Sequence, residues 1–237
     1  MTLDELVSQL CSAYGDALRS VVLYGSAVAG EHHAKRSDYN VLVIVREIPF
    51  ARLSELSAVA RAWKDAGNPA PMTFTEAEWR TSADVFPMEY ADILERHRVL
   101  WGEPPVDGIV VDRADLRLQL EREALGVVLR LRQAVLAAGT DPGEQRRVME
   151  GSLSSVMIVF RALLRLHGRT PPQDYAALAR DVAAITGADA APLYDAVHHA
   201  RGDRPVAKER AGEILHAYYR AMEAVARHID ALPTTRT

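Results

Sequence analysis

The chain has 237 residues, of which 49% are hydrophobic, enough for one large or two small domains with a substantial core. Its net charge of -4, from 28 Lys plus Arg against 32 Asp plus Glu, excludes a duplex nucleic-acid binder that relies on a strong basic field. The lone Cys11 excludes an internal disulfide framework, and there is neither a charged-then-apolar leader nor an apolar run of about eighteen residues, so the expectation is a cytoplasmic protein without a membrane span.

In chain order, Thr2-Leu3-Asp4-Glu5 fits a capping box, and Leu3, Leu6, Val7, Leu10 and Tyr14 share one face, which predicts a helix from Thr2 to about Leu18. Cys11 reads as a small apolar residue of that helix. A short apolar strand over 21–24 then runs into Gly25-Ser26. After a loop of eleven residues a second strand follows over 38–45, polar at its start and continuously apolar beyond it. Strand alternation points Asp38 and Asn40 the same way and Tyr39 the other. Two oxygen ligands thus converge beside the Gly-Ser turn. Gly25 suits close approach of backbone to phosphate, and the Ser26 amide and hydroxyl can donate to it, especially if residues 26–29 open a short helix. His32, His33, Lys35 and Arg36 in the loop form a basic patch for an anionic ligand, partly offset by Glu31; a solvated loop is the alternative.

Pro49 and Phe50 open an amphipathic helix that closes near Gly67, and Asn68-Pro69 breaks the chain. Residues 71–74 read as a strand, and Thr75-Glu76-Ala77-Glu78 as a second capping box, with both acids in the first helical turn. Glu89 and Asp92 are three apart on the next helix and share a face. That pair is either a source of a general base or a solvated surface. A last short strand over 99–101 precedes the Gly- and Pro-rich segment 102–108, the best linker in the chain. Beyond it the pattern is helical: about 112–138, then a helix capped by Asp141 with Pro142 at its first position that ends near Gly168, then about 172–185, 193–199 and 207–232. This predicts an antiparallel bundle. His198, His199 and His216 lack metal-ligand spacing.

An apolar residue, Gly-Ser, about a dozen residues and then Asp-x-Asp on a strand is the pattern of the polymerase-beta-like nucleotidyltransferases, which include aminoglycoside-modifying kinds. The chain resembles that family through Tyr24, Gly25, Ser26 and Asp38, and departs from it at Asn40. The resemblance implies an α/β (α+β) nucleotidyltransferase-fold domain with a small mixed sheet. The linker bounds it at 1–105, the helical pattern gives an all-α helical bundle over 106–232 with any ligand in the cleft between the two, and 233–237, with nothing to bury, is expected to be a frayed tail. The resemblance also implies transfer of a nucleoside monophosphate from a nucleoside triphosphate to an acceptor hydroxyl, on a small molecule or a protein. Gly25, Ser26, Lys35 and Arg36 would hold the nucleotide, Asp38 and Asn40 would hold Mg2+, and Glu89 is a further catalytic candidate. The family's third carboxylate has no counterpart on the strand that carries Thr73. Asn40 therefore leaves two readings open: an eroded but active metal site, or a catalytically inactive nucleotide-binding or partner-binding relative, an antitoxin-like interaction module. A homo-oligomer is compatible with either. A third reading rests on Arg161 and His167, whose spacing loosely resembles that in helical ribonuclease domains of toxin and antitoxin systems.

Overall fold

The structure, a computed structural model, describes residues 1–29 and 39–233, without the side chains of Ser26 and Ala29. The chain falls into two compact units, Met1–Asp112 and Arg113–Thr237.

In the first unit, α1 (Leu3–Tyr14) starts in the expected box: the Glu5 N–H donates to Thr2 Oγ1 at 3.2 Å and the Thr2 N–H to Glu5 Oε2 at 2.8 Å. The helix stops four residues short of the expected Leu18, because Gly15 leaves the helical region with φ 49° and a 3-10 turn, Gly15–Ala17, follows. Leu18 instead begins β1 (Leu18–Tyr24), which ends in a second 3-10 turn, Gly25–Ala29. Then come β2 (Asn40–Val45), α2 (Phe50–Glu55), α3 (Ser57–Asp65), β3 (Met72–Thr75), α4 (Glu76–Thr81), α5 (Pro87–Glu95) and β4 (His97–Gly102). The single helix expected over 50–67 is two, divided at Leu56.

The strands form a mixed sheet in the order β3-β2-β1-β4, with β2 and β3 parallel and the other pairs antiparallel. A parallel pair needs a crossover, and α2 with α3 supplies it. Alternation along β1 and β2 divides the core in two. Val21, Leu23, Val41, Val43 and Val45 pack with Leu6, Leu10 and Trp63 on one face; Val22, Leu42 and Ile44 pack with Trp79, Tyr90 and Ile93 on the other. Gly102 allows β4 to close on β1: with φ 77°, a Cβ there would collide with the Arg19 carbonyl oxygen.

The second unit is helical: α6 (Arg113–Ala138), α7 (Pro142–Leu166), α8 (Tyr175–Thr186), α9 (Ala191–Arg201) and α10 (Ala211–Asp230). Asp141 caps α7 by accepting from the N–H groups of Gly143 and Glu144. The buried Arg117 ties α6 to the end of α10, donating through Nε to the Leu232 carbonyl at 2.8 Å and through a terminal nitrogen to that of Asp230 at 3.0 Å. Arg161 and His167 have different surroundings. The Arg161 guanidinium lies 5.4 Å from the centre of the Tyr175 ring, and His167 Nε2 is 3.3 Å from His228 Nε2. Burial, the neighbouring His228 and the cations Arg113 and Arg169 lower the His167 pKa. Among the described residues no helix is long and apolar enough to cross a membrane.

Candidate functional site

The end of the sheet where β1 gives way to Gly25 brings several polar side chains together. Tyr24 pairs with Asn40 of β2 on one side and His97 of β4 on the other. Because paired residues in antiparallel strands project from the same face, Asn40, Tyr24 and His97 form one row. It faces α5, since Val22 and Leu42, two residues inward, pack on Tyr90 and Ile93.

Three contacts fix this end. The Tyr39 N–H donates to Asn68 Oδ1 at 2.9 Å, so the buried Asn68, in the segment that follows α3, sets where β2 begins. The Tyr39 ring stacks on Trp63, 6.1 Å between centroids, on the opposite face from Asn40. α5 is held by Tyr90, which stacks on Trp79 at 4.0 Å and donates its hydroxyl to the Trp79 carbonyl at 2.7 Å. Burial, reinforced by the charge of Asp84, pushes the Tyr90 hydroxyl far above its ordinary pKa, so it stays a donor.

Gly25 has φ 79°, and a Cβ placed on it would stand 3.3 Å from Asn40 Nδ2 and 3.9 Å from Asp92 Oδ2. Backbone geometry thus favours glycine, and a Cβ would also have to push the Asn40 amide back by a few tenths of an ångström. The carboxylate beside the turn is that of Asp92. Glu89 lies one helical turn earlier, in the first turn of α5, and is not within 4 Å of the same point. Arg96 lies 3.8 Å from Asp92 and 3.5 Å from Glu95, so part of the negative charge on α5 is compensated. His97 Nδ1 is 2.8 Å from the Ile93 carbonyl oxygen. A carbonyl can only accept, so Nδ1 carries the proton and in the neutral ring Nε2 is the acceptor. Lys35, Arg36 and Asp38 lie outside the described residues, as does the side chain of Ser26.

Asp92 was visible in the sequence as the partner of Glu89, but spacing alone does not say which of two acids on one helical face meets a strand end. His97 had no local signal, since its place comes from the pairing of β4 with β1. On β3 the structure places Thr73 and no acid. Glu76 is engaged with Arg19 at 3.1 Å, and Glu78 closes the Thr75 capping box.

Among the described residues no three His, Cys, Asp or Glu side chains group as a metal site. A two-ion carboxylate cluster therefore does not fit them. The Asn40 atom that faces this point is the amide nitrogen, a donor, so a single magnesium beside the Asp92 carboxylate would be held by Asn40 only with the amide turned to present its oxygen, the other ligands being phosphate oxygens and water.

A small mixed sheet with this turn at its end, followed by a helical region, is the nucleotidyltransferase fold. Among solved structures the chain is similar to the spectinomycin adenyltransferase AAD(9) from Enterococcus faecialis, determined with ATP and spectinomycin. The match covers 96% of this chain and 98% of that one, with a TM-score of 0.62 and 9% identity. No family model matches the chain, and no curated protein matches it in sequence. At that identity the likeness is one of fold.

Proposed function

We propose that the protein binds a nucleoside triphosphate against Gly25 and transfers its nucleoside monophosphate to an acceptor hydroxyl. The acceptor oxygen forms a bond to the α-phosphorus, the bond from that phosphorus to the bridging oxygen breaks, and pyrophosphate leaves. The observation that carries this reading is the convergence of Asn40 and Asp92 on Gly25, within 4 Å of the point where any other residue has a Cβ. Glycine keeps a side chain out of the space that phosphate and its metal would share with those two groups. Ser26, Lys35 and Arg36 complete the phosphate site. Asp38, Asn40 and Asp92 would hold one magnesium ion, which neutralises phosphate charge when bound. Glu89 and His97 Nε2 would be the candidates to take the acceptor's proton. Because the similar structure holds ATP and spectinomycin, a small hydroxylated acceptor is favoured over a protein side chain. A cytoplasmic setting suits the nucleotide and the free Cys11.

The neutral Asn40 and the acid-free β3 favour a second reading, a nucleotide-binding relative that does not turn over. Titration with several nucleoside triphosphates, with and without magnesium, followed by a pyrophosphate-release assay over a panel of hydroxylated acceptors, separates the two. Binding with release supports transfer, and binding without release across the panel supports the silent relative. No nucleotide binding overturns both.

A further inference from the structure

α6 is apolar on two opposite sides. Leu116, Leu120, Val127 and Leu131 are buried in the helical unit, whereas Leu118, Leu125, Leu129 and Leu136 are 65%, 52%, 46% and 83% exposed. The exposed four are spaced seven, four and seven residues apart, which at 3.6 residues per turn aligns them in one stripe, about 27 Å long. Seven-four-seven is also the spacing of a coiled-coil seam. A helix face of this kind is a docking surface, and its occupant can be read from its symmetry.

We propose that the stripe is a two-fold interface, in which α6 packs antiparallel on α6 of a second copy of this chain. The leucines are symmetric about Val127: Leu118 and Leu136 lie nine residues to either side, Leu125 and Leu129 two residues to either side. An antiparallel pairing centred there sets Leu118 against Leu136 and Leu125 against Leu129, so the surface is complementary to itself, as an isologous contact must be. The flanking charges agree. Glu121 and Arg132 lie on one edge of the stripe, six residues before and five after Val127. The antiparallel arrangement therefore brings Glu121 of one copy opposite Arg132 of the other, twice by symmetry. In a parallel pairing one edge of the stripe faces the other, so Glu121 would meet Arg122 rather than Arg132; the choice of orientation therefore rests on the symmetry of the leucines. Both are pre-positioned within their own copy, Glu121 by Arg117 at 2.6 Å and Arg132 by Tyr219 and Glu223 at 2.8 and 3.1 Å. One helix pair is at the small end of stable interfaces, so the dimer forms and dissociates in the micromolar range.

Sedimentation velocity of the full chain across that range should show monomer giving way to dimer. The double variant Leu125→Asp/Leu129→Asp alters only exposed positions and should keep its helical circular dichroism while raising the dissociation constant by at least about 100-fold. Orientation is read in a Cys11→Ala background. A Leu118→Cys chain mixed with a Leu136→Cys chain should form the mixed disulfide, and Leu118→Cys alone should not. A monomer at every concentration overturns the proposal and assigns the stripe to a different protein. So does a dimer indifferent to the double aspartate change, or a disulfide between two Leu118→Cys chains.

Discussion

The two faces of the sheet are built differently. The face toward α1 and α3 is mainly aliphatic, with a ring stack, Tyr39 on Trp63, at the start of β2 rather than under a helix that carries a site residue. The face toward α4 and α5 is aromatic: Phe74 meets Trp79 edge-on at 5.6 Å, Trp79 stacks on Tyr90, and the indole N–H of Trp79 and the hydroxyl of Tyr90 each donate to a backbone carbonyl. Aliphatic packing is non-directional and tolerates small shifts. Stacked rings tied by hydrogen bonds fix a helix along its axis as well as against the sheet. The second face is the one that ends in Asn40, Tyr24, His97 and Asp92. Stability on one side and position on the other should therefore respond differently to substitution.

The largest expected effect is on the first face. Trp63→Ala removes a fully buried ring and the donor to the Pro69 carbonyl, and should cost about 3–5 kcal/mol in chemical denaturation. The nucleotide affinity of the molecules that remain folded should change little. Tyr90→Phe on the second face removes only the hydroxyl, leaves the Trp79 carbonyl without that donor, and should cost about 1–3 kcal/mol. Because α5 carries Asp92, the affinity for nucleotide with magnesium should fall more than for Trp63→Ala, despite the smaller loss of stability. If the two variants keep this stability order but show equal affinities, the faces do not divide the work as described.

Gly25→Ala acts where the second face ends. The positive φ alone costs about 1–2 kcal/mol, and the new Cβ must displace the Asn40 amide from 3.3 Å. Calorimetry should show at least about a tenfold loss of nucleotide affinity. A variant that loses stability but binds nucleotide normally would leave Gly25 a turn residue only.

The same division explains what the sequence disclosed. Alternation and apolar runs identify β1 and β2, and capping boxes identify α1 and α4, because those signals are local. The resemblance carried by Gly25 and Ser26 pointed to the end of β1 as the candidate site. Leu18 read as helix because an apolar residue at helical spacing fits that pattern until Gly15 turns the chain. Asp92 and His97 belong to the site through the packing of α5 and the pairing of β4, contacts far apart along the chain. The outer stripe of α6 follows the same logic, since which of two apolar faces is buried depends on the other helices.

The smallest change tests the chemistry most directly. Asn40→Asp replaces an amide by a carboxylate of nearly the same shape at the half-buried start of β2, so the fold should hold. A unit charge about 4 Å from a cation is worth about 4 kcal/mol at an effective dielectric of 20, before repulsion and desolvation are subtracted. Asp92, whose carboxylate approaches the same point beside Gly25, makes that subtraction large. A net gain on the order of 1–2 kcal/mol in magnesium affinity remains, roughly five- to thirtyfold. Without metal the two carboxylates repel, which raises the folded-state pKa of one of them. A carboxyl whose pKa is raised on folding holds its proton more tightly folded than unfolded, so the stabilising share it gives at low pH is lost as pH rises through the ordinary carboxylate range toward neutrality. Relative to the natural protein, the metal-free variant should lose stability between about pH 4 and pH 7 and recover it when magnesium and nucleotide are added. Calorimetric titration of magnesium with nucleotide present, together with thermal melts over that pH range, measures both effects. Unchanged magnesium affinity and a pH profile parallel to that of the natural protein would place position 40 away from any metal, leaving nucleotide binding without transfer as the reading that fits the site.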